Sequence, residues 1–163
     1  MTILGIDPGF GILGYGILRA CGNLFEHVTH GVIQTEKEQN IALRLKYLYE
    51  NLCNLIDEFK PDEIAMEKLF FSRNVTTAIS VGEARGIVLL SAAQRKIEVY
   101  EYTPHEIKKA VTGNGRAMKK DVQEWIKILL NLSQIPKPDD AADALAIAYC
   151  HGVTRNFIRR FSV

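Results

Sequence analysis

The chain has 163 residues, 47% of them apolar and 24% charged, which suits one well-buried core and leaves no room for two ordinary domains. Its net charge of +1 excludes a uniformly basic binder, so any nucleic-acid surface has to arise by local clustering. No uninterrupted apolar run of about 18 residues occurs and no basic-then-apolar leader opens the chain, so neither membrane insertion nor secretion is expected.

Residues 2 to 20 read as two strands joined by the turn Pro8-Gly9-Phe10-Gly11, and a third strand is expected over Phe25 to Thr35, completing an antiparallel meander. From Asn40 the spacing changes: Ile41, Leu45, Leu48, Leu52, Leu55 and Phe59 recur at steps of four and three, one face of a long helix that Lys60-Pro61 ends. A strand is expected at Glu63 to Glu67, a helix from about Val75 to Ala93, a strand at Ile97 to Tyr102 and a short helix opened by Pro104. Strand, helix, strand in this order requires crossovers and parallel pairing. After the loop Gly113-Asn114-Gly115, helices are expected at Lys119 to Leu130 and at Asp139 to Cys150, with a tail that frays from about residue 153. The fold class is α/β: a mixed sheet of five strands, the first three antiparallel and the rest parallel, flanked by helices on both faces. Residues 1 to 163 are read as one domain. Cys21, Cys53 and Cys150 are odd in number and far apart, which supports neither a disulfide framework nor a zinc site and fits a reducing cytoplasm.

Four acids occupy conspicuous places. Asp7 closes the apolar run Ile3-Leu4-Gly5-Ile6, Glu67 closes Ile64-Ala65-Met66, and Asp140 and Asp143 open the last helix. Each has an ordinary explanation: Asp before Pro-Gly starts turns, Glu67 can pair with Lys68 at a sheet edge, and acids favour the first turn of a helix. Asp140 and Asp143, however, share a helix face, with Asp139 as the expected N-cap, and like charges there need something positive between them. Ala141, Ala142 and Ala144 would let that face lie close over the strand ends. A carboxylate cluster of this kind suits hard divalent cations, Mg²⁺ or Mn²⁺. Two such ions would support in-line hydrolysis of a phosphodiester, with no covalent enzyme intermediate.

Phe70-Phe71-Ser72-Arg73-Asn74 follows Glu67 with aromatic, cationic and amide groups able to stack on unpaired bases and meet phosphates; the alternative is a pair of phenylalanines capping a core strand, a weaker reading for Phe70 because both rings cannot face one side of an extended segment. Lys108, Lys109, Arg116, Lys119 and Lys120 make the densest basic stretch before the tail, either a phosphate-binding surface or a solvated helix face. His27, His30, His105 and His151 show no ligand spacing, and His151 is placed at the negative end of the last helix. The helix at Val75 to Ala93 is apolar on more than one side, as a core helix or a subunit contact would be.

Gly5-Ile6-Asp7-Pro8-Gly9, Glu67-Lys68-Leu69-Phe70, Gly82-Glu83-Ala84-Arg85-Gly86 and Asp140-Ala141-Ala142-Asp143-Ala144-Leu145-Ala146, in that order, closely resemble the RuvC family of bacterial crossover (Holliday) junction endonucleases, of the ribonuclease H-like superfold. The resemblance covers nearly the whole chain. It implies a homodimeric, Mg²⁺-dependent enzyme of the cytoplasm that nicks two opposing strands of a four-way DNA junction symmetrically, leaving ligatable ends, in recombination and repair. It implies Asp7, Glu67, Asp140 and Asp143 as metal-binding catalytic acids, with about two ions per subunit and Mn²⁺ as a substitute. Some members carry a histidine where Asp140 stands. It places the strand-contacting aromatic on Phe70 and DNA-contacting lysines on Lys108 and Lys119, with Arg73, Asn74, Arg116 and Lys120 as further DNA-binding candidates. RuvA and RuvB would deliver the junction.

Two other functions fit parts of the sequence. Gly-Ile-Asp-Pro-Gly followed by Gly14-Tyr15-Gly16 resembles the phosphate hairpin of sugar-kinase-like ATPases, which close a second domain of similar size over the nucleotide. A non-catalytic nucleic-acid-binding module on the same fold would bind junctions without needing the acids.

Overall fold

The computed structural model describes residues 1–68 and 75–161, and the side chains of 1–68 and 78–156. Phe70, Arg73 and Asn74 lie outside the described residues.

Strands β1 (Thr2–Asp7), β2 (Ile12–Cys21) and β3 (Leu24–Gln34) form the expected meander, and β4 (Glu63–Glu67) and β5 (Glu98–Tyr102) complete the sheet in the order β3-β2-β1-β4-β5. β1 pairs antiparallel with β2 and parallel with β4, whose other neighbour β5 is also parallel. β1 and β4 are therefore central and run the same way, so their last residues, Asp7 and Glu67, emerge at one edge of the sheet.

Helices α1 (Ile41–Phe59) and α2 (Val75–Gln94) cover one face, where Leu4, Ile6, Leu48, Leu52, Ile64, Met66 and Val88 share an apolar cluster. Asn40 caps α1 by accepting the Leu43 amide at 3.0 Å. Of the expected apolar stripe on α1, Leu48 and Leu52 are fully buried while Ile41, in the first turn, is 56% exposed. The other face carries α3 (Pro104–Thr112), α4 (Lys119–Leu129) and α5 (Asp139–Phe161) over a second cluster that includes Ile3, Leu18, Ala65, Ile107, Ile126, Leu145 and Ile147. Among the described residues no helix is long and apolar enough to cross a membrane. The three cysteines are free thiols.

Two expectations for the last helix are corrected. α5 does not stop at Cys150 but continues to Phe161, and Arg155 is held by an ion pair to Glu63. His151 is accordingly in the middle of the helix, fully buried, and has no role at a helix end. Asp139 is the first helical residue and is not the N-cap: its carboxylate meets the Lys137 ammonium at 3.1 Å.

α5 lies very close to the sheet because the strands beneath it carry glycine. A Cβ on Gly5 of β1 would come within 2.1 Å of the Ala144 carbonyl oxygen, and one on Gly14 of β2 within 2.1 Å of the Asp140 carbonyl oxygen. Gly14 is the β2 partner of Asp7. The same glycine thus brings the first turn of α5 beside the end of β1.

Candidate carboxylate site

Asp7 and Glu67 come from adjacent parallel strand ends, and Asp140 and Asp143 from the first turns of the helix pressed over them. Asp7 is half-buried. Loss of water and repulsion from Asp143, Glu67 and Asp140 push its carboxyl up to about 7, against a smaller opposing pull from Lys119. Burial, then Asp143, raises Glu67, with Lys108 and Lys119 opposing. Burial also raises Asp143, and it outweighs the hydrogen bond from Lys119 while Asp140 and Asp139 add repulsion. Asp7 is therefore within electrostatic reach of the other three acids, and Asp7, Glu67 and Asp143 each resist ionisation.

Lys119, the first residue of α4, points its ammonium into this site, 2.7 Å from Asp143 and 3.8 Å from Asp139. Desolvation works against its charge, but the bond to Asp143 and the field of the acids win and raise its pKa. Among the described residues no three acid, histidine or cysteine side chains form a ready-made metal cage. The all-oxygen donor set, its excess negative charge and the lysine that partly offsets it fit a hard divalent cation by the chemistry of the ligands.

Two clefts meet at Glu67. One, of about 230 Å³, is lined by Glu67, Asp143, Lys108 and Lys119 over an apolar floor that includes Ile107 and Val122. The other, of about 260 Å³, is lined by Asp7, Pro8, Glu67, Lys68, Val81, Arg85 and Pro104. Asp140 lines neither. The structure thus brings Lys108 and Lys119 to the acids. Arg116 and Lys120 are exposed on the segment entering α4 and on its first turn.

The cations reach the site through helix starts fixed by local sequence. Thr103 and Glu106 form a reciprocal capping box, the Glu106 amide donating to Thr103 Oγ1 at 3.2 Å and the Thr103 amide to Glu106 Oε2 at 2.7 Å. This sets α3 and hence Lys108. At α4 the Met118 amide donates to Asp121 Oδ2 at 3.1 Å, one step before Lys119.

One contributor had no role assigned from sequence. Arg85 of α2 donates from Nη1 to the backbone carbonyl of Glu67 at 2.8 Å and ion-pairs with Glu101 of β5. It ties the end of β4 to its neighbours just where the candidate acid emerges. Its signal in the sequence is that it is the lone cation of α2, within Gly82-Glu83-Ala84-Arg85-Gly86.

The family model described as crossover junction endodeoxyribonuclease RuvC matches residues 3–151. The chain belongs to the RuvC family. It is 76% identical over 162 residues to crossover junction endodeoxyribonuclease RuvC of Pseudothermotoga lettingae, an alignment covering 99% of this chain and 100% of that one. Identity to RuvC of Thermotoga petrophila is 58% over 153 residues, covering 94% and 93%. The structure of Thermus thermophilus RuvC in complex with Holliday junction substrate superposes with a TM-score of 0.92 at 32% identity, covering 96% of each chain. The mixed five-stranded sheet is therefore the ribonuclease H-like fold of RuvC.

Proposed function

We propose that this chain is a structure-selective, Mg²⁺-dependent endonuclease that resolves four-way DNA junctions by nicking two opposing strands. The observation that carries the reading is the group of half-buried, mutually repelling Asp7, Glu67 and Asp143, with Asp140 in electrostatic reach of Asp7, opening onto two clefts, one of them rimmed by Lys108 and Lys119, in a RuvC-family chain. RuvC relatives are named as crossover junction endodeoxyribonucleases, and that activity is carried here to this chain.

Asp7, Glu67, Asp140 and Asp143 would hold two Mg²⁺ ions per subunit, with Mn²⁺ as a substitute. When bound, such ions would supply a water of lowered pKa and charge stabilisation for the leaving 3′ oxygen. The chain's own contribution is positional. The rigid strand ends orient Asp7 and Glu67, and the α5 N-terminal turns orient Asp140 and Asp143. Lys108 and Lys119 neutralise phosphate at the rim, and Lys119 exchanges its contact with Asp143 for one with the DNA backbone. Phe70, Arg73 and Asn74, which follow Glu67 in the sequence, and Arg116 and Lys120 are the further DNA contacts of this proposal.

A two-fold junction cut symmetrically calls for two sites related by a two-fold axis. α2 exposes Ile79, Leu89 and Leu90 at 46% to 59%, an apolar surface that supports a homodimer. Proteins of the RuvA and RuvB type are the expected partners delivering the junction.

The test is cleavage of a synthetic four-way junction across a Mg²⁺ titration, beside a linear duplex and an RNA–DNA hybrid of the same sequence. Paired nicks in the junction alone, absent without divalent metal, are expected. ATP hydrolysis without DNA would favour the kinase-like reading, and junction binding with no cutting at any metal concentration would favour a binding module.

A further inference from the structure

Away from the candidate site, a second set of charged groups is buried between the same strand and the same helix. His151 is fully buried in α5, and its Nε2 lies 2.6 Å from Glu63 Oε2 at the start of β4. Its Nδ1 lies 2.7 Å from the Tyr102 hydroxyl. Arg155, one turn further on, donates from Nε to Glu63 Oε2 at 3.0 Å and ion-pairs with Glu63 through its other nitrogen. Tyr100 closes the cluster, its ring centroid 4.7 Å from that of His151 and 5.1 Å from the Arg155 guanidinium carbon. Burial holds His151 below its ordinary pKa despite Glu63. A neutral ring that donates from Nε2 to the carboxylate and accepts at Nδ1 from Tyr102 satisfies every polar atom.

The spacing relates this cluster to the candidate acids. Glu63, Ala65 and Glu67 point to one face of β4 because strand side chains alternate. From Glu63 to Glu67 the strand advances about 13 Å. From Asp143 to His151 the helix advances about 12 Å. With His151 on Glu63, the two elements run in opposite directions, and Asp143 falls at the level of Glu67, with which it lines one cleft. Between the two levels Ala65 and Ile147 belong to one apolar cluster. The contact is a ladder with an attractive rung, Glu63 to His151 and Arg155, and a repulsive rung, Glu67 to Asp143.

We infer that Glu63, His151 and Arg155 are positioning residues for the carboxylate site: their bonds fix the register of α5 on β4 and so hold Asp143 at the level of Glu67 against the repulsion between them. The inference rests on the proposed metal-binding role of those acids. The repulsive rung cannot set its own spacing, since two like charges separate wherever the backbone lets them. Apolar packing by Ala65 and Ile147 fixes separation more firmly than sliding, whereas a buried set of directed hydrogen bonds penalises sliding.

The test is calorimetric titration of the metal-free protein with Mn²⁺ and Mg²⁺, comparing wild type with Glu63→Gln, His151→Gln, Arg155→Met and Arg155→Lys. Ile56→Val, in the core on the opposite face, serves as a control for lost stability. The first three substitutions are expected to weaken metal binding on the order of tenfold, the effect usual when groups that orient metal ligands are removed. Arg155→Lys, which keeps the charge but loses the two-nitrogen fork on Glu63, is expected to fall between Arg155→Met and wild type, and Ile56→Val is expected to bind as wild type. Junction affinity without metal should be the same in all. Wild-type metal affinity in the first three variants, with only the melting temperature lowered, would overturn the positioning role. Arg155→Met, which changes the least buried of Glu63, His151 and Arg155, keeps the comparison available if a buried variant does not fold. A wild type that binds neither metal would overturn the reading of the acids, and the positioning role with it.

Discussion

The two ends of the α5–β4 contact bury charge in opposite ways. At the Glu63 end a carboxylate meets an imidazole and a guanidinium, and burial is more than offset, so the Glu63 carboxyl falls below its usual range despite desolvation. At the Glu67 end, carboxylates from three elements meet mainly each other, and burial drives Asp7 up to about 7. Folding tolerates buried charge when partners are supplied from within the chain. Where they are not, the missing counter-charge comes from outside, and the unsatisfied end is where a cation and a phosphate backbone are proposed to bind.

The largest effect expected from breaking this contrast is at the acids. Asp7→Asn should lower junction cleavage by at least about 10³-fold, while a gel-shift assay finds junction binding in metal-free buffer unchanged. A loss of that size is about 4 kcal/mol of transition-state stabilisation. Cleavage within tenfold of wild type would remove Asp7 from the catalytic set.

At the satisfied end, Glu63→Ala strands His151 and Arg155 without their acceptor. It should cost roughly 3 kcal/mol of stability in denaturant unfolding, as expected when one partner leaves a buried ion pair. Loss of less than about 0.5 kcal/mol, the scale of an exposed pair, would mean that the cluster is solvated.

An intermediate effect is expected from pH. Folded protein keeps the Asp7 proton to about pH 7, whereas the unfolded chain releases it near 3.8. Between those values the folded state binds more protons, so metal-free stability should fall as pH rises across that window. The limit is about 4 kcal/mol at about 1.4 kcal/mol per pKa unit. Asp7→Asn should flatten the decline and leave the metal-free protein about 2 kcal/mol more stable than wild type at pH 8, a gain in stability at the expense of activity. A wild-type melting temperature that rises from pH 5 to pH 8 in chelator would contradict the assigned repulsion.

The smallest effect should come from the surface. Arg19 and Glu26 pair at 2.9 Å with both side chains more than half exposed, and Arg19→Ala should change stability by less than about 0.5 kcal/mol. A larger loss in the same unfolding measurement would show that the pair is more shielded than its exposure indicates.

Much of the architecture was legible in the sequence because it follows from local pattern. The apolar runs ending at Asp7 and Glu67, the spacing along α1 and the crossover order led directly to the sheet found. The close approach of α5 was only half legible. The alanines of the helix were read as permitting it, but Gly5 and Gly14 in the strands are equally required, and a glycine inside a strand does not announce what lies above it. His151 and Glu63 are 88 residues apart, a pairing that no periodicity reveals. Nor did spacing reveal that His27 and His30 meet, Nε2 to Nδ1 at 2.7 Å. A register shift opposite Ile17 and Leu18 leaves Val28 unpaired, and this brings two residues three apart onto one side of β3. Arg85 was visible as part of a motif, but its bond to the Glu67 carbonyl depends on α2 crossing the end of β4.

The most direct measurement is the melting temperature at pH 8 as Mg²⁺ is added, for wild type and for Asp7→Asn and Asp143→Asn. If the acids form one cation site, wild type should rise by several degrees with a saturating midpoint, and each variant should begin higher in chelator and respond far less. A wild-type melting temperature indifferent to Mg²⁺, or variants that respond as wild type does, would contradict the account.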